Sequence, residues 1–277
     1  MGVNSGRRAD SISTMRKYGR VPFAVVVVHG GPGARGEMAP VARELASSRG
    51  VLEPLQTATS LEGQVEELRA ALEKHADLPV TLIGFSWGAW LSFVFAARYP
   101  AFARKLIVVG SGPYEEKYAA RILETRLGRL KDEERIEVRS VIDILDNPKA
   151  ENRSSAFERL GVLFAKADAY DPIPGESIES GESVAVGAQA DIFLGAWKDG
   201  AELRRSGKLL ELGRQIECPV VAIHGEYDPH PAEGVRNPLC ATLEDFRFVL
   251  LENCGHKPWV ERNAGAEFFR ILKQELR

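Results

Sequence analysis

The sequence alternates between short continuous apolar runs and longer stretches in which apolar residues recur at helical spacing. Residues 23–28 are a continuous apolar run and residues 80–85 are apolar except for one threonine, as expected of strands that are buried on both faces. Between them, residues 61–75 carry Leu and Val at helical intervals. Alternation of this kind predicts a mainly parallel sheet with helices packed on both faces, which is the α/β class.

The alternation stops in the middle of the chain, which suggests an inserted segment. Residues 113–213 contain no convincing strand but several stretches with helical spacing, and we predict that they form a helical cap. The core is then made of residues 21–112 and 214–277. Residues 1–20 are polar and basic and are expected to form a poorly ordered leader. A chain of 277 residues fits one large domain with such an insertion.

Composition excludes several classes of partner. The formal net charge of -3 leaves no basic surplus to neutralise the phosphates of a nucleic acid. No apolar run approaches the roughly 18 residues that a membrane-spanning helix needs, and the first residues lack the apolar segment of a secretory signal. The three cysteines lack metal-ligand spacing and cannot all pair. We therefore predict a cytoplasmic monomer or homodimer with no membrane or nucleic-acid partner.

The sharpest motif lies between a predicted strand and a predicted helix and reads G-x-S-x-G, at residues 84–88. So tight a turn forces its central residue into a strained conformation, and side chains larger than glycine on either side would clash. The strain would present the hydroxyl of Ser86 at the tip of the turn. We predict that Ser86 is a nucleophile; the alternative is a serine that only caps the helix.

A serine hydroxyl is a poor nucleophile and needs a base, together with an acid that orients the base. His256 follows the last predicted strand in a loop that contains a glycine, and Asp228 follows the strand predicted over residues 220–224. The order Ser86, Asp228, His256 is the nucleophile–acid–base order of one particular fold. The alternatives that remain open are His230 as the base and Glu226, Glu115 or Glu116 as the acid.

The segment that follows the first buried strand, residues 29–33, reads H-G-G-P-G. A glycine-rich turn can present backbone N–H groups without obstruction by side chains. One such N–H, together with the N–H of Trp87, could bind a developing oxyanion.

From residue 21 onward the chain resembles the α/β-hydrolase superfamily, and its H-G-G-P-G and S-W-G segments resemble the branch that includes the prolyl aminopeptidases (proline iminopeptidases). The resemblance implies a mostly parallel eight-stranded sheet, with a helical cap inserted after the sixth strand. It also implies that Ser86 is the nucleophile, Asp228 the acid and His256 the base. Gly31 and Trp87 match the oxyanion donors, and Gly30 replaces Gly31 if the loop register differs by one residue.

The sequence departs from the aminopeptidase pattern at two places. Phe85 stands where prolyl aminopeptidases usually have glycine. The acidic residues that would hold a substrate amine in the cap have no clear match. Three glutamates could take that role, although a solvated acidic loop is the favoured interpretation: Glu176, Glu179 and Glu182. In the same region, Trp197 is expected either to pack the cap on the core or to line a pocket.

A second glycine pattern, at residues 31–36, fits G-x-G-x-x-G, and Glu53 lies where a ribose-binding acid would be expected. This pattern favours a dinucleotide-binding oxidoreductase. Pro32 argues against it because proline removes an N–H group from the phosphate-binding turn.

We therefore predict a serine hydrolase that cleaves a small carboxylic ester or a related acyl compound. The alternative is a peptidase that releases an N-terminal residue from a short peptide, and the dinucleotide enzyme is a remote third. A hydrolase fold reused as a non-catalytic binding protein also stays open, because the fold alone does not determine activity. The hydrolase chemistry needs no metal ion and no organic cofactor.

Overall fold

A computed structural model describes residues 14–147, 149–174 and 186–277, with the backbone alone for residues 186–189. Within them, one sheet runs through the molecule. Its strands are β1 (Met15–Tyr18), β2 (Phe23–Val28), β3 (Gly50–Pro54), β4 (Val80–Phe85), β5 (Ala103–Val109), β6 (Val220–Gly225) and β7 (Phe246–Leu251). The strand order is β1-β3-β2-β4-β5-β6-β7. Only β1 runs antiparallel to its neighbour.

Helices cover both faces of the sheet and form the insert. They are α1 (Ala39–Leu45), α2 (Leu61–His75), α3 (Trp87–Arg98), α4 (Arg121–Gly128), α5 (Asp132–Asp146), α6 (Arg153–Asp168), α7 (Val186–Arg205), α8 (Lys208–Glu211), α9 (Glu233–Thr242) and α10 (Gly265–Glu275). Helices α2, α3 and α9 pack on one face. Helices α1 and α10 pack on the other. Because both faces are covered, the central strand β4 is buried at every residue, and its neighbour β2 is buried at its last four.

The predicted α/β class and the parallel sheet are confirmed, whereas the implied strand count is not met by the described residues. These residues form seven strands, one fewer than the resemblance implies. The insert accordingly follows β5, the fifth strand, rather than the sixth.

Part of the predicted leader is ordered, because β1 lies within residues 1–20 as an edge strand; residues 1–13 of the leader lie outside the described residues. The hydroxyl of Tyr18 donates a hydrogen bond to Glu53 on β3 at 2.6 Å, and Arg16 forms an ion pair with the same carboxylate at 3.6 Å. Because polar side chains hold β1 against β3, the sequence of β1 contains no apolar run. The hydrophobic pattern alone therefore does not reveal this strand.

The insert between β5 and β6 is helical, as predicted, and has a small core of its own. That core is formed by Leu130, Val138, Leu163 and Ala167. The boundaries at residues 113 and 213 stay predictions. Among the described helices, none combines the length and the apolar character that crossing a membrane requires.

We expect Leu82→Ala to lower the free energy of unfolding by about 2–5 kcal/mol, because the side chain is lost from a packed core and leaves a cavity. Leu82 lies on the central strand β4 and is 0% exposed. The matched control is Leu123→Ala on α4, where the leucine is 41% exposed and the expected change is within about 0.5 kcal/mol. Urea unfolding measures both, and equal losses would contradict this account of the core.

Candidate active site

The turn between β4 and α3 consists of Ser86 alone, which has a φ of +52°. A Cβ atom on Gly84 would lie 2.2 Å from the carbonyl oxygen of Gly88, and one on Gly88 would lie 2.3 Å from the carbonyl oxygen of Val28. The two glycines therefore allow the strand and the helix to approach closely enough for the strained turn. The hydroxyl of Ser86 makes no capping hydrogen bond to the helix, so the capping interpretation has no support.

The loops after β6 and β7 bring Asp228 and His256 to this turn. Nε2 of His256 lies 3.1 Å from Oγ of Ser86. Nδ1 of His256 lies 2.7 Å from Oδ2 of Asp228. Because an ionised carboxylate can only accept, Nδ1 carries the proton, and Nε2 is left to accept the hydrogen bond from the serine hydroxyl. The structure thus brings together the three side chains that the sequence predicted.

Burial and charge act in opposite directions on this pair. Burial opposes the charged form of His256, but the charge of Asp228 and the hydrogen bond to it outweigh burial and raise the pKa of the imidazole above its ordinary value of 6.5. Burial also opposes the charged form of Asp228 and by itself would raise the pKa of this carboxyl. The adjacent imidazoles, with His256 foremost, nevertheless hold that pKa well below 3.8. The carboxylate stays ionised although it has no exposed surface.

His230, the rival base, contacts the same carboxylate. Its Nδ1 lies 2.7 Å from Oδ1 of Asp228, and its backbone N–H donates to that oxygen at 2.9 Å. Burial lowers the pKa of His230 to about 4, so the ring is neutral near pH 7. A third imidazole supports this segment, because Nε2–H of His224 donates to the backbone oxygen of His230 at 2.8 Å. Sequence reasoning did not anticipate that three histidines surround one acid.

The alternative acids are engaged elsewhere. Glu226 is exposed at the surface. Glu115 forms an ion pair with Lys117 at 2.9 Å, and Glu116 pairs with Arg204 of α7 at 2.8 Å. Asp228 is therefore the acid that the geometry favours.

The remaining histidine near the glycine-rich loop has a local role. Nδ1–H of His29 donates to the carbonyl oxygen of Gly30 at 2.9 Å, and burial lowers the pKa of this fully buried ring.

Cys254 is also buried, and burial raises the pKa of its thiol. A neutral, buried thiol is a poor nucleophile.

Two backbone positions were predicted to bind an oxyanion. Trp87 is the first residue of α3, and N–H groups in the first turn of a helix have no partner within the helix. In the glycine-rich loop, a Cβ on Gly30 would lie 2.5 Å from the Glu37 carboxylate and 2.7 Å from the Phe85 ring. At Gly31 the nearest atom would be 3.6 Å away. The loop is thus closely packed at Gly30 and open at Gly31, and the choice of donor stays a prediction.

A buried glutamate joins the cap to the loop that carries His256. The carboxylate of Glu261, which is 1% exposed, accepts hydrogen bonds from the backbone N–H of Gly255 at 3.0 Å, Tyr170 at 2.8 Å and Asp171 at 2.7 Å. Gly255 immediately precedes the base, whereas Tyr170 and Asp171 follow the cap helix α6. One carboxylate therefore ties two segments that are distant in sequence.

A second connection reaches the base itself. The backbone N–H of His256 donates to the carbonyl oxygen of Asp168, the last residue of α6, at 2.8 Å. The Asp168 side chain is held by both Nε and Nη2 of Arg126 on α4, each at 2.7 Å. The position of His256 thus depends on the cap as well as on the core.

Trp197 packs the cap on the core. Its ring stacks on Trp90 of α3 at a centroid distance of 5.7 Å and an angle of 13°. It also stacks on Phe193 at a centroid distance of 5.7 Å and an angle of 8°. The packing interpretation of Trp197 is supported. The glutamates considered as amine ligands, Glu176, Glu179 and Glu182, lie outside the described residues.

Among the described residues, one group could in principle ligate a metal ion. Asp228, His230 and His256 offer ligand atoms within 4.8 Å of one another. Both carboxylate oxygens, however, already accept N–H donors from the two imidazoles. The atoms that could ligate a metal ion are therefore already used in hydrogen bonds among these three side chains.

The acid of the dinucleotide hypothesis, Glu53, is buried and hydrogen-bonded to Tyr18, so it is not placed to bind a ribose.

We expect Glu261→Gln to lower the free energy of unfolding by about 1–3 kcal/mol, because an amide cannot accept all three N–H donors and one stays buried without a partner. Urea unfolding tests this, with Glu267→Gln on the surface of α10 as the control that should leave stability essentially unchanged. Equal effects of the two substitutions would rule out the connecting role of Glu261.

Comparisons with known proteins identify the fold family of the chain. A family model described as the alpha/beta hydrolase fold matches residues 24–262. No curated protein matches the chain. The solved proline iminopeptidase of Mycobacterium smegmatis is 19% identical, covering 95% of this chain and 93% of that chain, with a TM-score of 0.65. The 2-hydroxy-6-oxo-6-phenylhexa-2,4-dienoate hydrolase of Rhodococcus sp. strain RHA1 is 21% identical, covering 92% and 90%, with a TM-score of 0.65. At such identities the structures share the fold, and with the family match over most of its length the chain belongs to the alpha/beta hydrolase family.

Proposed function

We propose that this protein is a serine hydrolase that cleaves a small carboxylic ester or a related acyl compound. The observation that carries the proposal is the continuous line of hydrogen bonds from Asp228 through His256 to Ser86. The strained turn exposes the hydroxyl of Ser86, and Nε2 of His256 faces this hydroxyl as a hydrogen-bond acceptor. This arrangement is the one that acyl transfer requires.

In the acylation step, Oγ of Ser86 attacks the substrate carbonyl carbon while Nε2 of His256 takes the hydroxyl proton. The charge of Asp228 stabilises the imidazolium that forms. The carbon–oxygen bond to the leaving group then breaks, and Nε2–H gives its proton to the departing alkoxide. The products of this half-reaction are an alcohol and an ester on Ser86.

Backbone N–H groups of Gly31 and Trp87 are the proposed donors to the negatively charged oxygen of the tetrahedral intermediate. In the second half-reaction, His256 takes a proton from water, which attacks the acyl group on Ser86. The serine leaves with the proton from Nε2, and the free acid is released. Every proton is carried by His256, so the proposal depends on the basicity of this one ring.

The substrate is proposed only as a class. The two solved structures compared above bear the names of hydrolases with different substrates, and they support the fold rather than a specificity. Release of N-terminal proline ranks second, on the resemblance of the H-G-G-P-G and S-W-G segments. The three glutamates considered for binding a substrate amine lie outside the described residues, so no described contact favours the peptidase.

We expect Ser86→Ala to abolish labelling by a fluorophosphonate probe and to lower ester hydrolysis by at least about a thousandfold, because the nucleophile is removed. The assays are probe labelling followed by mass spectrometry and turnover of p-nitrophenyl esters of rising chain length. The control is Ser47→Ala, a surface serine whose loss should change neither result.

Proline-β-naphthylamide is tested beside the esters. Turnover of this amide that is lost in Ser86→Ala would move the assignment to the peptidase. Absence of labelling at Ser86 in the unaltered protein would leave a non-catalytic binding protein as the better hypothesis.

We expect ester hydrolysis to fall as the pH is lowered, with a midpoint above 6.5. The active base is the neutral ring, and the pKa of His256 is raised above 6.5 by Asp228 despite burial, so the ring is protonated and inactive below that raised value. A kcat/KM profile between pH 5 and 9 measures the midpoint in the free enzyme. A midpoint below 6.5 would contradict the raised pKa of His256.

A further inference from the structure

The acid of the proposed site is shared between two imidazoles. Oδ2 of Asp228 accepts from Nδ1 of His256, and Oδ1 accepts from Nδ1 of His230, both at 2.7 Å. The two rings lie beside each other with a centroid distance of 4.7 Å. The proposed reaction uses only His256, which leaves the second ring without an assigned role.

The hydrogen bonds determine which nitrogen of His230 carries the proton. The ionised Asp228 can only accept, so Nδ1 of the neutral His230 ring donates to it. The backbone N–H of His230 donates to the same oxygen at 2.9 Å. His230 therefore supplies both donors to Oδ1, and its backbone is held in turn by His224 through a hydrogen bond of 2.8 Å.

We propose that His230 is a positioning residue, whose imidazole holds Oδ1 of Asp228 so that Oδ2 faces His256 and the carboxylate charge is divided between two N–H donors. The inference rests on the proposed serine hydrolase. Two directional donors on one oxygen resist rotation of the carboxylate about its carbon–carbon bond. They also withdraw charge from the oxygen that faces the base, because a hydrogen bond to a carboxylate stabilises its charge.

The consequence is a limit on the basicity of His256. With the Nδ1–H donor of His230 removed, more of the carboxylate charge is available to stabilise the His256 imidazolium, so the pKa of His256 rises. Other charges near this ring stay in place. They are Asp168 and Arg126, which act on the ring electrostatically and pair with each other in the cap. The adjacent loop segment adds Glu261, which is bound by three backbone N–H groups, and Lys257, which is paired with Glu37. Nε2 of His224 also faces the carboxylate, 3.6 Å from Oδ2 of Asp228.

The test compares two substitutions at one position. His230→Asn keeps an N–H donor at the place of Nδ1, whereas His230→Leu removes the donor and keeps an apolar side chain of comparable size. His75→Leu, on a half-buried surface histidine of α2, is the matched control. The readout is titration of the His256 ring followed by ¹⁵N and ¹H NMR of the full chain, with the kcat/KM profile for a p-nitrophenyl ester beside it.

In His230→Leu we expect the pKa of His256 and the acid limb of the profile to move upward by about one pH unit. In His230→Asn the shift should be smaller by at least half, and in His75→Leu there should be none. No shift in His230→Leu, a downward shift, or equal shifts in the Leu and Asn variants would overturn the proposal.

The unaltered protein supplies a measurement that does not depend on folding of a variant. The ¹⁵N shifts of His230 should show a neutral ring protonated at Nδ1 at pH 7; a ring protonated at Nε2 or at both nitrogens would overturn the proposal. Failure of the serine hydrolase assignment is recognised separately. It would appear as absence of fluorophosphonate labelling at Ser86, whereas the NMR titrations need no activity.

Discussion

An ionised carboxylate with no exposed surface lies at the centre of this molecule's site, and most of the local structure serves to hold it there. Burying the Asp228 charge is unfavourable unless donors and a compensating charge surround it. Two imidazoles and a backbone N–H supply the donors. The same arrangement keeps His256 turned toward Ser86. The low pKa of Asp228 and the orientation of His256 are thus consequences of a single set of hydrogen bonds.

The cap takes part in this arrangement rather than only covering it. The backbone N–H of His256 is held by the last residue of α6, and Glu261 ties the following cap segment to the residue before the base. Stacked rings of Phe193, Trp197 and Trp90 join the cap to the helix that follows the serine. A movement of the cap would therefore change the position of His256.

The family of the chain and its chemistry rest on different kinds of support. Similarity over residues 24–262 establishes the fold, and folds of this kind carry many activities. The proposed chemistry rests on the hydrogen bonds among three side chains and on the strain at Ser86. The feature of this chain that its fold does not imply is His230, which shares the acid with the base and is proposed to limit how basic that ring becomes.

The sequence by itself determined the parallel sheet, the helical insert and the strained serine turn, because these depend on local apolar patterns and on glycines at fixed offsets. It also narrowed the acid and the base to a few loop residues that follow strands. Only the tertiary structure decided how those residues meet, since hydrogen bonds between segments as distant as Ser86 and His256 leave no local pattern. The edge strand β1 escaped prediction because polar side chains pair it with β3. The packing role of Trp197 and the cluster of histidines around Asp228 were likewise decided by contacts between elements that no sequence period encodes.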